Sequence, residues 1–381
     1  MVFSLQRIEN TQEFRAVKNV WNELLDGEKH HRPFLDYNWF ELWLDHFLNN
    51  NRLFILFCED QNRVKAICPF LIKKEKLKGI PVKKIELIGN IYSPVRNFIF
   101  GNLSNVEKEG LLLNLFEYLK TSTKWDLIDL NPLPEEDFDF MGLKKVLKKL
   151  GLKSKEYFCF GNWYLDKIDF NGDQYISSRT SNIRENIKRY SRKLQRTGKL
   201  EFVMVTNRSN EEIDHYMDLY YAVYHASWKT PEMDPSFHRD LAKLARDKGW
   251  LRLGFLFLDT APIAAQLWLV CDGVAYIAKL AYDELYKKLI PGVILSSEMM
   301  KYVIDIDRVK EIDYLIGDEP YKKDWTPSRR ERKGILIFND NFKGDCLALM
   351  MIKAAAVIEK NRYLKQMKRR ISRYLNRTNN Q

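Results

Sequence analysis

Residues 274–325, VAYIAKLAYDELYKKLIPGVILSSEMMKYVIDIDRVKEIDYLIGDEPYKKDW, decide the fold of this chain. Val274, Tyr276, Ala278 and Leu280 alternate as one face of a strand, and Asp272-Gly273 before them is a two-residue hairpin signal. Pro291-Gly292 opens a helix, because proline suits a first turn and Ile294, Met299, Val303 and Ile304 recur at helical spacing up to Asp305–Asp307. From Glu311 to Gly317, Ile312, Tyr314 and Ile316 alternate again, giving a second strand. A strand, helix, strand unit is a parallel crossover, and it points the unpaired N–H groups of the helix out of one end of the sheet. Such an end suits an anion. Lys287 and Lys288 bring positive charge there, and Gly292 lets a ligand approach the backbone. The chain contains neither GxxxxGK[ST] nor GxGxxG, so P-loop and dinucleotide sites lack support.

The order YD, short loop, PG, amphipathic helix, a strand with Asp313 and then GDEPYK resembles the GNAT-type acyltransferase domain of the CelD-like branch, known from cellulose and polysaccharide biosynthesis. That branch is related to the Fem-type aminoacyl transferases. The resemblance is strongest over residues 175–340. It implies two strands drawn apart around the pantetheine arm of an acyl-coenzyme A, acetyl-coenzyme A first. The pyrophosphate would lie on the backbone of Leu289, Pro291, Gly292, Val293 and Ile294, beside Lys287 and Lys288, and backbone N–H groups from Leu280 to Tyr282 would hold the thioester carbonyl. The loop at 317–322 lies where ligands of open sheets bind. Asp318 or Glu319 can serve there as base, Tyr321 as acid, and Lys322 as the holder of a phosphate or carboxylate. An ion pair between Asp318 and Lys322 that locks the loop is the competing reading. Trp228-Lys229 matches an SWK pattern of the family, which implies a place beside the acceptor, although Trp228 can instead extend the Tyr220 and Tyr224 stripe into the core. Asp283 reads as a turn cap.

The chain has 381 residues, 45% hydrophobic and 13% aromatic, enough for two cores. Five cysteines without a CxxC pair read as reduced thiols. The six histidines show no HExxH or other metal spacing, so no catalytic metal is expected. The net charge of +11 is concentrated: residues 179–199 carry +7 and residues 346–381 carry +8, leaving the remainder slightly acidic. A helix over 174–197 presents the first group, either as a solvated face or to RNA, a nucleotide-linked sugar or coenzyme phosphates. The second makes an amphipathic tail that can lie on an anionic membrane or dock on the second domain. With no leader-like N-terminus and no run of about 18 apolar residues, a cytoplasmic location is expected, with the inner membrane face open to the tail.

Upstream, a strand from Phe3, a helix from Thr11 and another from Asp36 precede strands at 53–58, 64–72 and 83–89. A helix then starts from the Ser104/Glu107 capping box, followed by a strand at 125–130, a helix at 137–150 and a strand at 156–160. The order recurs: strand 200–206, a helix from a Ser209/Glu212 box, a helix at 236–248, strands at 250–258 and 262–270, the opening stretch, and a strand at 334–338. Two tandem GNAT-like α/β domains follow, 1–168 and 169–344, with a basic tail at 345–381. In the first, Ser93-Pro94 precedes no helix, so its role is structural or acceptor-binding.

The reading is an acyltransferase that moves an acyl group from acyl-coenzyme A to an amine or hydroxyl of a sugar or cell-envelope precursor. The alternatives are a Fem-type transferase using aminoacyl-tRNA, which the +7 segment favours but the lack of a long helical hairpin in the second half does not, and a catalytically silent membrane-surface scaffold.

Overall fold

The computed structural model describes residues 3–26, 31–135, 138–207 and 212–353. The basic tail beyond residue 353 and Ser209 of the second capping box lie outside them. The first half runs β1 (Ser4–Ile8), α1 (Thr11–Ala16), α2 (Lys18–Asp26), α3 (Tyr37–Phe47), β2 (Arg52–Asp60), β3 (Arg63–Leu77), β4 (Ile80–Leu87), β5 (Ile99–Phe100), α4 (Asn105–Ser122), β6 (Leu127–Pro134), α5 (Phe138–Lys149) and β7 (Ser154–Leu165). Two helices, α6 (Gly172–Ser177) and α7 (Ser181–Gln195), lead to the second. It runs β8 (Leu200–Val205), α8 (Ile213–His225), α9 (Pro235–Asp247), β9 (Leu251–Leu258), β10 (Ala261–Cys271), β11 (Val274–Tyr282), α10 (Pro291–Asp305), β12 (Glu311–Asp313), α11 (Lys322–Trp325), β13 (Ser328–Phe338) and α12 (Phe342–Ala348).

Local chemistry accounts for most of these ends. Ser104 and Glu107 form the expected reciprocal cap on α4. Asp272 and Gly273 both take positive φ (47° and 72°), the geometry of a tight hairpin between β10 and β11. The single helix expected over 174–197 is two, because Thr180 leaves helical geometry and its hydroxyl accepts from Ile183 N, starting α7 anew. The helix from Thr11 is likewise interrupted at Val17. The last strand begins at Ser328, six residues before the expected Gly334.

All strands join one sheet, ordered β1-β2-β3-β4-β6-β13-β7-β12-β11-β10-β9-β8, with β5 on β3. The two halves exchange their last strands: β13 pairs with β6, β7 pairs with β12, and β13 and β7 lie antiparallel at the centre. Helices cover both faces. On one, α2, α3, α8 and α9 share a core that crosses from half to half, with Phe34 against Tyr276 and Trp39 against Phe237. On the other, α4 and α5 cover the first half, while α6, α7 and α10 cover the second.

Candidate active site

β11 and β12 are parallel, as expected, but only over Val274–Tyr276 and Glu311–Asp313. The second strand stops there, short of the expected Gly317. Tyr314 N turns to donate to Trp163 O (2.9 Å), and Leu315 takes φ 54°. β11 continues to Tyr282 with only β10 beside it. Buried polar side chains fix this parting. The Asp313 carboxylate accepts from Leu315 N (2.6 Å), Asn162 Nδ2 (2.6 Å) and Arg330 Nη2 (2.5 Å). Asn162 also donates to Leu315 O (2.9 Å), and its Oδ1 accepts from Arg330 Nε (2.6 Å). A saturated charged network of this kind holds one geometry, because any other leaves buried charge unpaired. Asn162 and Arg330 come from the two exchanged strands, so the exchange itself shapes the gap.

The first turn of α10 closes the far side of that gap. Asp283 caps a 3₁₀ turn by accepting from Leu285 N, and Ile290 follows in the left-handed region (φ 49°, ψ 44°), strained for a β-branched residue. The turn is anchored to the sheet by Gln266 on β10, fully buried. Its amide donates to Gly292 O (3.1 Å) and Ser296 Oγ (2.9 Å) and accepts from Trp268 Nε1 (3.0 Å). Gly292 lies close to the sheet: a Cβ there would meet the Tyr282 ring at 3.0 Å, and the ring would have to shift slightly to admit it. Pro291 has no N–H, and those of Val293 and Ile294 donate to Ile290 O, which leaves the Gly292 N–H as the donor of this turn.

Between parted strand, helix and loop lies a cavity of about 890 Å³, a volume typical of ligand sites. Of the residues singled out in the sequence, Leu280, Tyr282, Gly292, Val293, Trp228, Lys229, Glu319 and Tyr321 line it together. Lys287, Lys288, Leu289, Pro291, Ile294, Asp318 and Lys322 are not in its wall. Ile294 is in the core, and Lys287 pairs with Glu284. Two ion pairs organise the loop. Lys322 is buried, with Nζ donating to Ile316 O (2.6 Å) and Gly317 O (3.3 Å) and pairing with Glu319 (2.8 Å). Asp318 pairs with Arg329 (2.7 Å) and accepts from Trp163 Nε1 (2.8 Å), bonds that hold its carboxyl below the usual range. Lys322 thus has its hydrogen bonds in the loop itself.

The groups left in the cavity have distinct electrostatics. Burial, reinforced by the charge of Lys279, pushes the Lys229 ammonium down to about 8. Burial also raises the Tyr321 phenol, which stays protonated. Trp228, half exposed, packs against Tyr282 with ring centroids 4.4 Å apart and the rings tilted by 40°. Sequence reasoning missed the group beside Lys229. Glu232 accepts from Lys279 Nζ (2.6 Å) and Tyr92 OH (2.7 Å). Burial works to raise this carboxyl, but the Lys279 bond and charge prevail and hold it at about 2. These residues come from β11, the loop before α9 and the first half, and no local pattern links them.

A family profile described as an acetyltransferase (GNAT) domain matches residues 181–323. A solved FemX structure aligns over 91% of this chain and 99% of its own, with a TM-score of 0.60 at 13% identity. A conserved protein of unknown function from Bacteroides thetaiotaomicron VPI-5482 aligns over 88% and 100%, with a TM-score of 0.51 at 10% identity. The fold is two tandem GNAT-like halves. No curated protein matches the sequence. The GNAT match falls on the half whose strands part around the cavity, and a transferase is the activity class it supports. Among the described residues no cluster of His, Cys, Asp or Glu could hold a metal, and no helix is long and apolar enough to cross a membrane.

Proposed function

We propose that this chain transfers an acyl group, acetyl first, from acyl-coenzyme A to an amine or hydroxyl of a sugar or cell-envelope precursor. The polysaccharide-related CelD-like branch of the GNAT fold is the proposed relationship. One observation carries the reading: a strand edge freed from its parallel neighbour lies beside a helix whose first turn, at Gly292, comes close to Tyr282. A thioester carbonyl set against the free backbone of Leu280–Tyr282 would be polarised, and a pyrophosphate at Gly292 would meet an N–H and the positive helix end.

In the reaction the acceptor nitrogen or oxygen attacks the thioester carbon, a C–N or C–O bond forms, and the C–S bond breaks. Tyr321, kept protonated, hydrogen-bonds the departing thiolate. Two groups in the cavity can take the acceptor's proton, Glu319 and the depressed amine of Lys229, and Lys229 alone predicts a rate that rises through pH 8. Asp318 and Lys322 act by holding the loop, and Lys287 and Lys288 add positive charge at the mouth. The first half, 1–168, serves acceptor binding.

A thermal melt with acetyl-coenzyme A tests the donor. Ligand at 100 times its Kd adds about 2.7 kcal/mol, which raises the melting temperature by roughly 5 to 10 °C. No rise at millimolar coenzyme overturns the reading. It would favour the second one, an aminoacyl-tRNA donor, supported by the FemX-like fold and by basic α7, whose Asn182 and Asn186 line the cavity.

A further inference from the structure

Two lysines line the donor cavity, and they differ in their company. Lys279 Nζ is bonded to the Glu232 carboxylate (2.6 Å). Lys229 Nζ, among the described residues, has neither a hydrogen bond nor an ion pair; it faces the Trp228 ring, whose centroid is 5.8 Å away. Trp228 in turn packs on Tyr282, and Leu280, Ala281 and Tyr282 of the free strand edge line the same cavity. A side-chain amine without a partner therefore shares the cavity with the backbone that would hold an acyl thioester.

An ammonium is no nucleophile, but a free amine is. Burial first, and then the charge of Lys279, bring the Lys229 ammonium down to about 8; Lys322 acts in the same sense, Glu232 and Glu319 in the opposite one. His238, near enough to feel the Lys229 charge, has its imidazolium pushed down to about 3, and Tyr321 stays protonated, so neither adds charge at neutral pH. Roughly one Lys229 in ten is then uncharged at pH 7, against about one in 2,500 for an ordinary lysine.

We infer that Lys229 is itself an acyl acceptor: with acyl-coenzyme A in the cavity and no other acceptor present, its amine takes the acyl group as an amide, and the transferase is switched off. The inference rests on the acyl-transfer reading. Lys229 Nζ attacks the thioester carbon, the C–N bond forms, the C–S bond breaks, and the proton shed by the nitrogen ends on the departing sulfur. The product amide carries no charge and cannot take a proton, and its acyl group occupies the cavity beside the strand edge. An acceptor molecule protects Lys229, because both compete for the same thioester carbon. Self-acylation thus stops the transferase when donor accumulates without acceptor.

The test is mass spectrometry of the full chain incubated with acetyl-coenzyme A, with peptide mapping of the sites modified. One acetyl group should appear on Lys229, at a rate that saturates with coenzyme, rises about fivefold from pH 7 to pH 8 and levels off above. Lys287 and Lys288, both exposed, report the uncatalysed background, which grows linearly with coenzyme and keeps rising with pH. Lys229→Arg should remove the saturable reaction, and Gly292→Asp should remove it from Lys229 while leaving the background on Lys287 and Lys288. A thermal melt with acetyl-coenzyme A is run on the same unaltered sample. A raised melt with Lys229 unmodified, or modified no faster than Lys287 and Lys288, overturns the inference and leaves the donor reading standing. Modification of Lys229 that survives Gly292→Asp also overturns it. Neither a raised melt nor a modified Lys229 overturns both.

Discussion

The molecule contains the same strand junction twice, and only one of them is open. In the first half, β4 runs parallel to β6 over Lys84–Glu86 and Leu127–Asp129, as β11 runs beside β12. There the chain fills its own gap: after β4, Ile88 N donates to Pro69 O, the segment around Ser93–Asn97 is buried, and Arg96 N donates to Pro132 O at the end of β6. Arg96 presses so close that a Cβ on Gly89 would meet its Nε at 2.5 Å. No helix starts at Ser93-Pro94, and α4 begins only after β5. In the second half Pro291-Gly292 starts α10 at the gap, and a cavity remains. Sheet topology alone thus does not make a site; what the connection after the third meander strand does with the gap decides it.

Several changes probe this contrast. The largest effect is expected from Lys229→Met. If Lys229 takes the acceptor's proton, activity falls about 10²- to 10⁴-fold, and the wild-type rise through about pH 8, where the amine loses its proton, disappears from the pH–rate profile. A variant profile with that limb intact assigns the proton to Glu319. Asp313→Ala comes next. It takes the acceptor from Leu315 N at the parting of the strands while Arg330 keeps Glu311 (2.6 Å), and urea unfolding should show a loss of about 1–3 kcal/mol; a loss below about 0.5 kcal/mol would mean the network does not hold the gap.

A smaller effect concerns His238. Its folded value, about 3, lies below the usual value of about 6.5 for an unfolded histidine, so the unfolded chain binds the proton first as pH falls. The associated stability is complete above about pH 6.5 and declines toward pH 3, by up to about 1.4 kcal/mol per pH unit. His238→Gln should flatten that acid limb in melts between pH 7 and 4.5, and an unchanged limb would show that the imidazole is not held neutral. The smallest belongs to the closed junction. Arg96→Met should leave acetyl-coenzyme A affinity unchanged within about twofold, because Arg96 is not in the wall of the donor cavity.

Much of the second junction is legible in the sequence because its signals are local. Asp272-Gly273 forces the hairpin, Pro291-Gly292 starts α10, and Asp283 caps the turn between. What stays hidden depends on distant partners. Asn162 and Arg330 reach Asp313 only through the strand exchange, which no periodicity announces. The loop GDEPYK shows ionisable groups but not their partners: Arg329 takes Asp318, and backbone carbonyls take Lys322. Tyr92, Glu232 and Lys279 meet across separations of more than 40 residues. The break before α7 was visible in Thr180, a strong N-cap residue, against an apolar stripe that runs through it.

Calorimetric titration of the full chain with acetyl-coenzyme A, beside Gly292→Asp, asks whether the open junction alone takes the donor. One site per chain is expected, lost in the variant because a carboxylate then faces the pyrophosphate beside the Tyr282 ring. Two sites per chain, no binding at all, or binding that survives Gly292→Asp would contradict it.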